Sequence, residues 1–289
     1  MISKNKKITQ LTDLFIPEIS VVIPVFNESP LRLKQCFDSL VKQTLSNYEC
    51  LIIDESLDIE STSECRRVSE NDTRFKYIRP PRFLGLAGSL NLGITRSKSE
   101  LIARFDSDDI CHPKRLELQK KFMDNHLNIA VLGGAVQVID DSGDFIYKRT
   151  YPAVHDDIVR GMHFRATLAH PAVMIRKETI SRVGLYNEKY SKSEDLDLWL
   201  RMMNCGYRFA NLSDVVISYR CKSVIRPRSH WRANLRTRLN NFKKEQVAIR
   251  VLGILLICGW CFLPVFVQNI FLKFCFSPFM KSEKYGKFK

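Results

Sequence analysis

Short apolar runs alternate with stretches of helical period along the first half of the chain. ISVVIPVF at residues 19–26 is β-branched and apolar throughout, which predicts a buried strand. Residues 30–43 switch to helical spacing, with Leu31, Leu33, Phe37, Leu40 and Val41 as the apolar positions. The pattern then repeats: YECLIIDE (48–55) as strand, a polar helix over 58–69, FKYIRP (75–80) as a short strand ended by Pro80 and Pro81, and GLAGSLNLGITRS (85–97) as a small-residue helix. LIARFD (101–106) is a fourth strand, HPKRLELQKKFMDNH (112–126) a helix with Pro113 in its first turn, where the missing N–H costs nothing, and IAVLGGAVQVID (129–140) a further strand. Such alternation predicts a doubly wound, mostly parallel α/β sheet covered on both faces.

The second half is less regular. HPAVMIRKETISRVG (170–184) reads as a strand and a short helix closed by Gly184. SEDLDLWLRMMNCGY (193–207) is a helix with Leu196, Leu198, Trp199, Met202 and Met203 on its apolar face and Gly206 as its C-cap. RFANLSDVVISYR (208–220) is a strand region, and 232–250 reads as a basic amphipathic helix. Three units follow: a polar N-terminal segment 1–18, a main α/β domain 19–220, and a basic and apolar extension 221–289.

Composition changes the picture at two places. The 289 residues carry a net charge of +14, yet residues 217–250 hold ten Lys or Arg against one acid, Glu245. The next segment, VLGILLICGWCFLPVFVQNIFL (251–272), has no charge, although Pro264, Gln268 and Asn269 interrupt it. A basic stretch running into an apolar one suits anionic lipid head groups, so the extension is expected to associate with a membrane, by an interfacial, re-entrant or spanning mode; a buried C-terminal helix is the alternative. The nine cysteines show no disulfide-like spacing, and Cys258 and Cys261 sit inside the apolar stretch as packing residues. With no apolar leader at the start, reduced thiols at the inner, cytoplasmic face of the cell membrane are expected.

The second place is LIARFDSDD, where an apolar run ends in Asp106, Asp108 and Asp109. Like charges this close repel, and burial sharpens the repulsion, so the cluster calls for a cation. Two aspartates one residue apart at a strand end can hold a hard divalent ion whose remaining shell is filled by water and substrate phosphates. The alternative is an aspartate-rich turn capping the following helix, a role open to Asp109 in particular. In an open α/β sheet ligands bind beyond the carboxyl ends of the strands, which would gather Asn27, Glu28, Asp54, Glu55, Arg79, Arg82 and Asp106 to Asp109 on one edge. Glu194, Asp195 and Asp197 form a second acidic group at a helix start, readable as dipole complementation or as a general base.

These blocks, in this order and spacing, resemble the inverting glycosyltransferases of family 2. ISVVIPVFNES is similar to the family opening, IIDES to its VDDGS segment, and RFLGLAGSLNLGI to its N-x-G-x-x-x-x-x-N-x-G helix. RFDSDDICHPKRLELQ, HPAVMIRK and SEDLDLWLRM complete the set, over about residues 19–219. The resemblance implies a glycosyltransferase-A, Rossmann-like fold of the bacterial cell-surface polysaccharide type, using a nucleotide-sugar donor, a UDP-sugar by preference, with Mg²⁺ or Mn²⁺. It also implies roles. Pro24, Phe26 and Glu28 would line the nucleotide pocket, Asp54 would contact base or ribose, and Arg82, Asn91 and Ser107 would lie along the nucleotide and phosphates. Asp106 would sit by ribose and metal, Asp108 would be the principal metal ligand, and Asp195 the catalytic base with Glu194 beside it. His170 and Trp199 would sit near the acceptor side, with core packing as the alternative for either. Glu55 and Ser56 depart from the usual Asp and Gly of the second-strand motif. No Q-x-x-R-W motif of processive synthases occurs, so one addition per encounter is expected, onto a glycan or lipid-linked hydroxyl. No Ser-His-Asp or Cys-His set competes with this reading. A basic nucleic-acid-binding protein would need more aromatic interleaving and fewer acidic clusters, and a nucleotidyltransferase would need a glycine-rich loop where PVFNESP has none.

Overall fold

The computed structural model describes residues 16–221, 227–264 and 266–268. The N-terminal segment up to residue 15, Lys222 and Arg226 of the basic run, and the apolar stretch and tail from residue 269 onward lie outside the described residues.

The strands are β1 (Ile19–Val25), β2 (Tyr48–Asp54), β3 (Phe75–Ile78), β4 (Leu101–Arg104), β5 (Ile110–Cys111), β6 (Ile129–Ile139), β7 (Phe145–Arg149), β8 (Met174–Arg176) and β9 (Arg208–Arg220). The helices are α1 (Pro30–Val41), α2 (Ile59–Asn71), α3 (Gly85–Arg96), α4 (Arg115–Asn125), α5 (His155–Met162), α6 (Lys177–Arg182), α7 (Glu194–Asn204), α8 (Arg228–Asn240) and α9 (Val247–Phe262). One sheet runs in the order β3-β2-β1-β4-β8-β6-β9-β5, and β7 pairs with β6.

Alternation along the strands sends side chains to two cores. Ile19, Val21, Ile23 and Val25 of β1 pack with Leu33, Phe37 and Leu40 of α1 and Leu116 and Met123 of α4. Val22 points the other way, toward Leu90 and Ile94 of α3, Ile180 of α6 and Leu198 of α7. Each such fully buried aliphatic side chain contributes roughly 1.5–3 kcal/mol of transfer free energy. Gly93 is required at the α3–β1 contact, because a Cβ there would collide with the Val22 side chain.

The sheet is mixed rather than mostly parallel. β3, β2, β1 and β4 are parallel, as the alternating pattern predicts. β8 is antiparallel to both β4 and β6, β5 is antiparallel to β9, and β7 to β6; β6 and β9 alone restore a parallel pair in the second half. The cause is the connections. Parallel neighbours need a crossover of about a dozen residues or more, whereas β6 and β7 are joined by a tight turn. In that turn Asp140 accepts from the Ser142 and Asp144 N–H groups, and Gly143 takes a left-handed φ of 91°.

Two helix expectations shift. Pro113 lies before α4, which starts at Arg115, and its carbonyl accepts from the Thr44 N–H at 2.9 Å. The expected helix over 232–250 divides into α8 and α9, separated by a break in which Asn241 turns its amide to Asp197 (2.9 Å) and Gln246 adopts φ 56°.

Candidate active site

Parallel pairing of β3, β2, β1 and β4 brings their carboxyl ends to one edge, with Val25 opposite Asp54 and Val22 opposite Arg104. Pro24, Phe26 and Glu28 therefore stand beside Asp54, with Arg79 and Arg82 beyond it and Asp106, Ser107 and Asp108 on the other side. Because β8 runs antiparallel to β4, its beginning lies where β4 ends: Ala103 pairs with Met174 and the Arg104 N–H donates to the Val173 carbonyl at 3.0 Å. That reversal delivers His170, just ahead of β8, to the same edge.

The loops at β1 and β2 are laced together. Asn27 takes a left-handed φ of 49°, a conformation its short amide tolerates. Its N–H donates to Ser56 Oγ (2.9 Å), and its Oδ1 accepts from the Leu57 and Asp58 N–H groups (2.7 and 3.1 Å). Ser56 thus has a bracing role where the family favours glycine. Glu55 accepts from the Leu84 N–H and from Ser89 Oγ (2.8 Å), tying β2 to the start of α3. Asp54 is fully buried and accepts from the Ser56 N–H, Thr62 Oγ1, Tyr77 Oη and Arg79 Nη1 at 2.9–3.1 Å. Glu28 is bridged by Arg32, at 3.1 Å, to Asp141, at 3.0 Å. Phe26 and Phe83 remain 52% and 69% exposed and meet edge to face at 5.5 Å, forming an apolar lip. Asn91 spends its amide on Tyr186 and Glu188, donating to the Tyr186 carbonyl (2.9 Å) and Glu188 Oε1 (3.0 Å) and accepting from the Tyr186 N–H (2.9 Å). It therefore positions Tyr186 in this structure.

At the end of β4, carboxylate oxygens of Asp106, Asp108 and Asp109 lie within 4.8 Å of one another. Asp109 is fully buried: Oδ1 accepts from the Arg220 N–H (2.8 Å), and Oδ2 has no hydrogen-bond partner. Burial, and then the charges of Asp106 and Asp108, push its carboxyl well above the usual range. Hard oxygen donors around an unsatisfied buried oxygen fit a divalent cation, with Asp106 and Asp108 as the more accessible ligands. Two buried guanidinium groups hold the loop. Arg104 ion-pairs with Asp106 at 2.6 Å. Arg220 donates to the carbonyls of Asp108 (3.0 Å), Asp140 (2.9 Å) and Asp141 (2.8 Å) and to Gln35 Oε1 (3.0 Å). Arg115 donates to the Arg104 carbonyl (2.8 Å), and Gln119 to that of Ala172 (2.8 Å), stitching β4 to the chain entering β8.

The second acidic group opens α7 behind Ser193, which holds a left-handed φ of 63°. Glu194 is buried; desolvation first, and the Asp195 charge second, push its carboxyl up to about 7, opposed in part by Arg104 and reinforced by Asp106. His170 Nδ1 stands 4.0 Å from Glu194 Oε1, and its Nε2 is 2.8 Å from the Tyr186 hydroxyl. Burial and the nearby Arg104 hold this imidazole neutral, well below its ordinary range. Asp195 is partly exposed and accepts from the Leu196 N–H at 2.7 Å. Trp199 is buried in the core and meets the His170 ring edge-on at 6.1 Å, so it supports the histidine from beneath rather than facing solvent. Asp197 is buried between Arg201 (2.8 Å) and Asn241 (2.9 Å).

Buried Arg104 pairs with Asp106 at 2.6 Å, and its charge also bears on Asp109, Glu194, His170 and Tyr186. Arg104, Tyr186 and Arg220 were not singled out from sequence. Arg104 had a signal: a cation inside an apolar run is buried only with a partner, and Asp106 is two residues on.

The sheet edge thus carries an exposed aromatic lip at Phe26 and Phe83, a carboxylate cluster after β4, and the Glu194–Asp195 pair at the start of α7. The chain belongs to glycosyl transferase family 2, whose profile it matches over residues 20–184. It is 33% identical over 214 residues to the amylovoran biosynthesis glycosyltransferase AmsE of Erwinia amylovora, covering 73% of this chain and 80% of AmsE. It is 36% identical over 186 residues to the O-antigen biosynthesis glycosyltransferase WbnJ of Escherichia coli (63% and 72%). It is also 30% identical over 209 residues to the Escherichia coli UDP-Gal:alpha-D-GlcNAc-diphosphoundecaprenol beta-1,3-galactosyltransferase (71% and 74%). The fold is similar to S. aureus TarS 1–349 in complex with UDP-GlcNAc, with a TM-score of 0.59 and 19% identity over 77% of this chain and 66% of that fragment. The similar region is 39% of the longer TarS chain. Family membership favours neither the nucleic-acid-binding nor the nucleotidyltransferase alternative.

Proposed function

We propose that the chain is an inverting hexosyl- or N-acetylhexosaminyltransferase that moves a sugar from a UDP-sugar to a hydroxyl of a lipid-linked glycan, at the cytoplasmic face of the cell membrane, in cell-surface polysaccharide synthesis. The observation that supports it is the shared sheet edge: Arg104 ion-pairs with Asp106 at 2.6 Å at the end of β4, and His170, brought to that edge by β8, stands 4.0 Å from Glu194. The similarity to a galactosyltransferase named for a diphosphoundecaprenol acceptor supports the acceptor class, and the TarS fragment with UDP-GlcNAc supports the donor class.

In this reading the nucleoside lies across Pro24, Phe26, Glu28 and the Asp54 loop, with Arg82 and Ser107 toward the diphosphate. Asp106 and Asp108 would hold Mg²⁺ or Mn²⁺, which when bound supplies positive charge to the departing diphosphate. Asp195 accepts the proton of the acceptor hydroxyl as its oxygen attacks the anomeric carbon; the bond to the β-phosphate oxygen breaks and its electron pair leaves with the nucleotide. Burial first, and the neighbouring Asp195 charge second, favour a proton on Glu194, and Asp195 is the more accessible of the two, so Asp195 is the base. His170, neutral and fixed by Tyr186, borders the acceptor side.

The test is a panel of nucleotide sugars scored by thermal stabilisation and transfer to a diphosphoundecaprenol-linked acceptor, with Mn²⁺ and with chelator. A ligand at a hundred times its Kd stabilises by about 2.7 kcal/mol, so a bound donor raises Tm by several degrees. Stabilisation by UDP-sugars that vanishes on chelation is expected; equal stabilisation in chelator removes the metal from the reading.

A further inference from the structure

The C-terminal helical pair is amphipathic the wrong way round for a helix facing water. The domain side of α9 is held by Arg250, which donates to Asn204 Oδ1 (2.7 Å), the Asn241 carbonyl (3.2 Å) and the Glu245 carbonyl (2.9 Å). Gly253 and Ile257 complete that side, and Gly253 is obligatory because a Cβ would strike the His163 carbonyl. The outward side is Val247, Ala248, Val251, Leu252, Leu255, Leu256, Gly259 and Phe262, an exposed stripe without a charged or polar side chain. Leu255 is 62% exposed and Phe262 81%. An apolar face of this length left to water is the signature of an interaction surface.

What covers it is indicated by α8, which packs alongside. Trp231 meets Trp260 edge-on at 5.9 Å, and Arg228 donates to the Leu263 carbonyl at 3.2 Å, so the two helices run antiparallel. Arg228, Arg232 and Arg236 follow at four-residue spacing and are all exposed. Spacing of four residues places them on one face of α8. Lys243 and Lys244 extend the positive charge into the break, where Glu245 is the one acid among residues 227–268. A row of cations beside an apolar stripe is complementary to phosphate head groups above acyl chains, whereas a second copy of the chain would bring cations against cations.

We propose that α8 and α9 form an in-plane docking surface for an anionic bilayer, with the Val251–Leu252–Leu255–Leu256 stripe of α9 sunk at the head-group boundary and the Arg228–Arg232–Arg236 row of α8 on lipid phosphates. The 16 residues of α9 extend about 24 Å, short of the ~30 Å hydrocarbon core, and among the described residues no helix is long and apolar enough to cross a membrane. In the proposal α9 lies along the bilayer, since Arg250 and Gly253 hold its other side against the domain. This surface takes its purpose from the lipid-linked acceptor proposed above, and its binding is measurable without donor or acceptor.

The experiment is co-sedimentation of the full chain with vesicles of phosphatidylcholine alone and of phosphatidylcholine with phosphatidylglycerol, beside size-exclusion light scattering. Wild type is expected to bind the anionic vesicles, less so as salt rises. Arg232→Gln with Arg236→Gln should weaken partitioning about thirtyfold, and Leu252→Glu with Leu256→Glu should abolish it. Both pairs are outward-facing, so Tm and nucleotide-sugar hydrolysis should stay at wild-type values, while transfer to the lipid-linked acceptor falls. Wild-type sedimentation by the leucine variant overturns the proposal, as does equal binding to neutral vesicles. A wild-type dimer that the leucine variant converts to monomer, without vesicle binding by either, assigns the face to self-association and overturns it too. Loss of hydrolysis by wild type itself would instead count against the catalytic reading.

Discussion

The molecule contains two trios of carboxylates, and in each the most buried member is treated differently. Asp197, at the start of α7, has a guanidinium at 2.8 Å and an amide at 2.9 Å, so its charge is matched inside the fold. Asp109, after β4, has one backbone N–H and an oxygen with no partner, among two more carboxylates. Burying a charge costs several kcal/mol unless something pairs with it. The paired acid belongs to the scaffold; in the proposed reading, the other lies where a cation would bind. On that reading, similar composition at two loops serves two ends, one completed by the protein and one by a ligand.

The sharpest way to break this comparison is at Asp195, the accessible member of the helix-start trio. General-base catalysis contributes roughly 10²–10⁴-fold, and Asp195→Asn should remove about a thousandfold or more of transfer while nucleotide-sugar affinity, read by calorimetry, is unchanged. Transfer within tenfold of wild type would move the base elsewhere. Asp197→Asn should behave in the opposite way. It strips the charge from a buried pair with Arg201, whose own side chain is 23% exposed, and should cost about 3 kcal/mol of stability in denaturant melts, with kcat per folded molecule retained. A stable but inactive Asp197→Asn would dissolve the division between scaffold and chemistry.

That division was half visible in the sequence. β1, β2 and β4 are apolar runs that end in acids, and their parallel pairing needs only the helices between them, so Asp54, Asp106 and Asp108 could be placed on one edge from spacing alone. The second half could not be read this way. β5 has two residues, too few for a period, and β7 is a largely exposed hairpin strand whose turn, not its pattern, defines it. The β8 strand is legible in HPAVMIRK, but its antiparallel pairing with β4, which brings His170 to the sheet edge, is not. Arg220 ended a strand in a basic run and looked like surface charge; its role depends on β9 lying between β6 and β5, a long-range fact that no local pattern carries. Tyr186 follows a left-handed Leu185 in a loop, and it is held by Asn91 and His170, both outside that loop.

Titration of Glu194 sharpens the comparison further. Its folded carboxyl is raised from 4.5 to about 7, so the native state binds a proton that the unfolded chain releases first. Stability from this group is full below about 4.5 and is lost as pH rises through about 7, a decline of at most about 3 kcal/mol. Glu194→Gln carries no such charge, so the Tm difference between variant and wild type should grow in the variant's favour across that window. A constant difference would mean that Glu194 is not held protonated by its burial.

The smallest effect is expected at Asp109, and its smallness is the point. Asp109→Asn keeps an oxygen to accept from the Arg220 N–H, removes one of three crowded charges, and gives the orphaned position two donors facing Asp106 and Asp108. Burial already pushes the Asp109 carboxyl well above its usual range, and the nearby Arg104 keeps its ion pair with Asp106, so the substitution relieves repulsion without stranding an opposite charge and the metal-free protein should change by less than about 1 kcal/mol in either direction. Asp197→Asn, a chemically identical change at a similarly buried carboxylate, is expected to be several times costlier. Denaturant midpoints of the two variants in chelator measure that ratio directly. Equal losses would show that Asp109 is matched inside the fold after all, and the cation would then no longer be needed to account for the cluster at the end of β4.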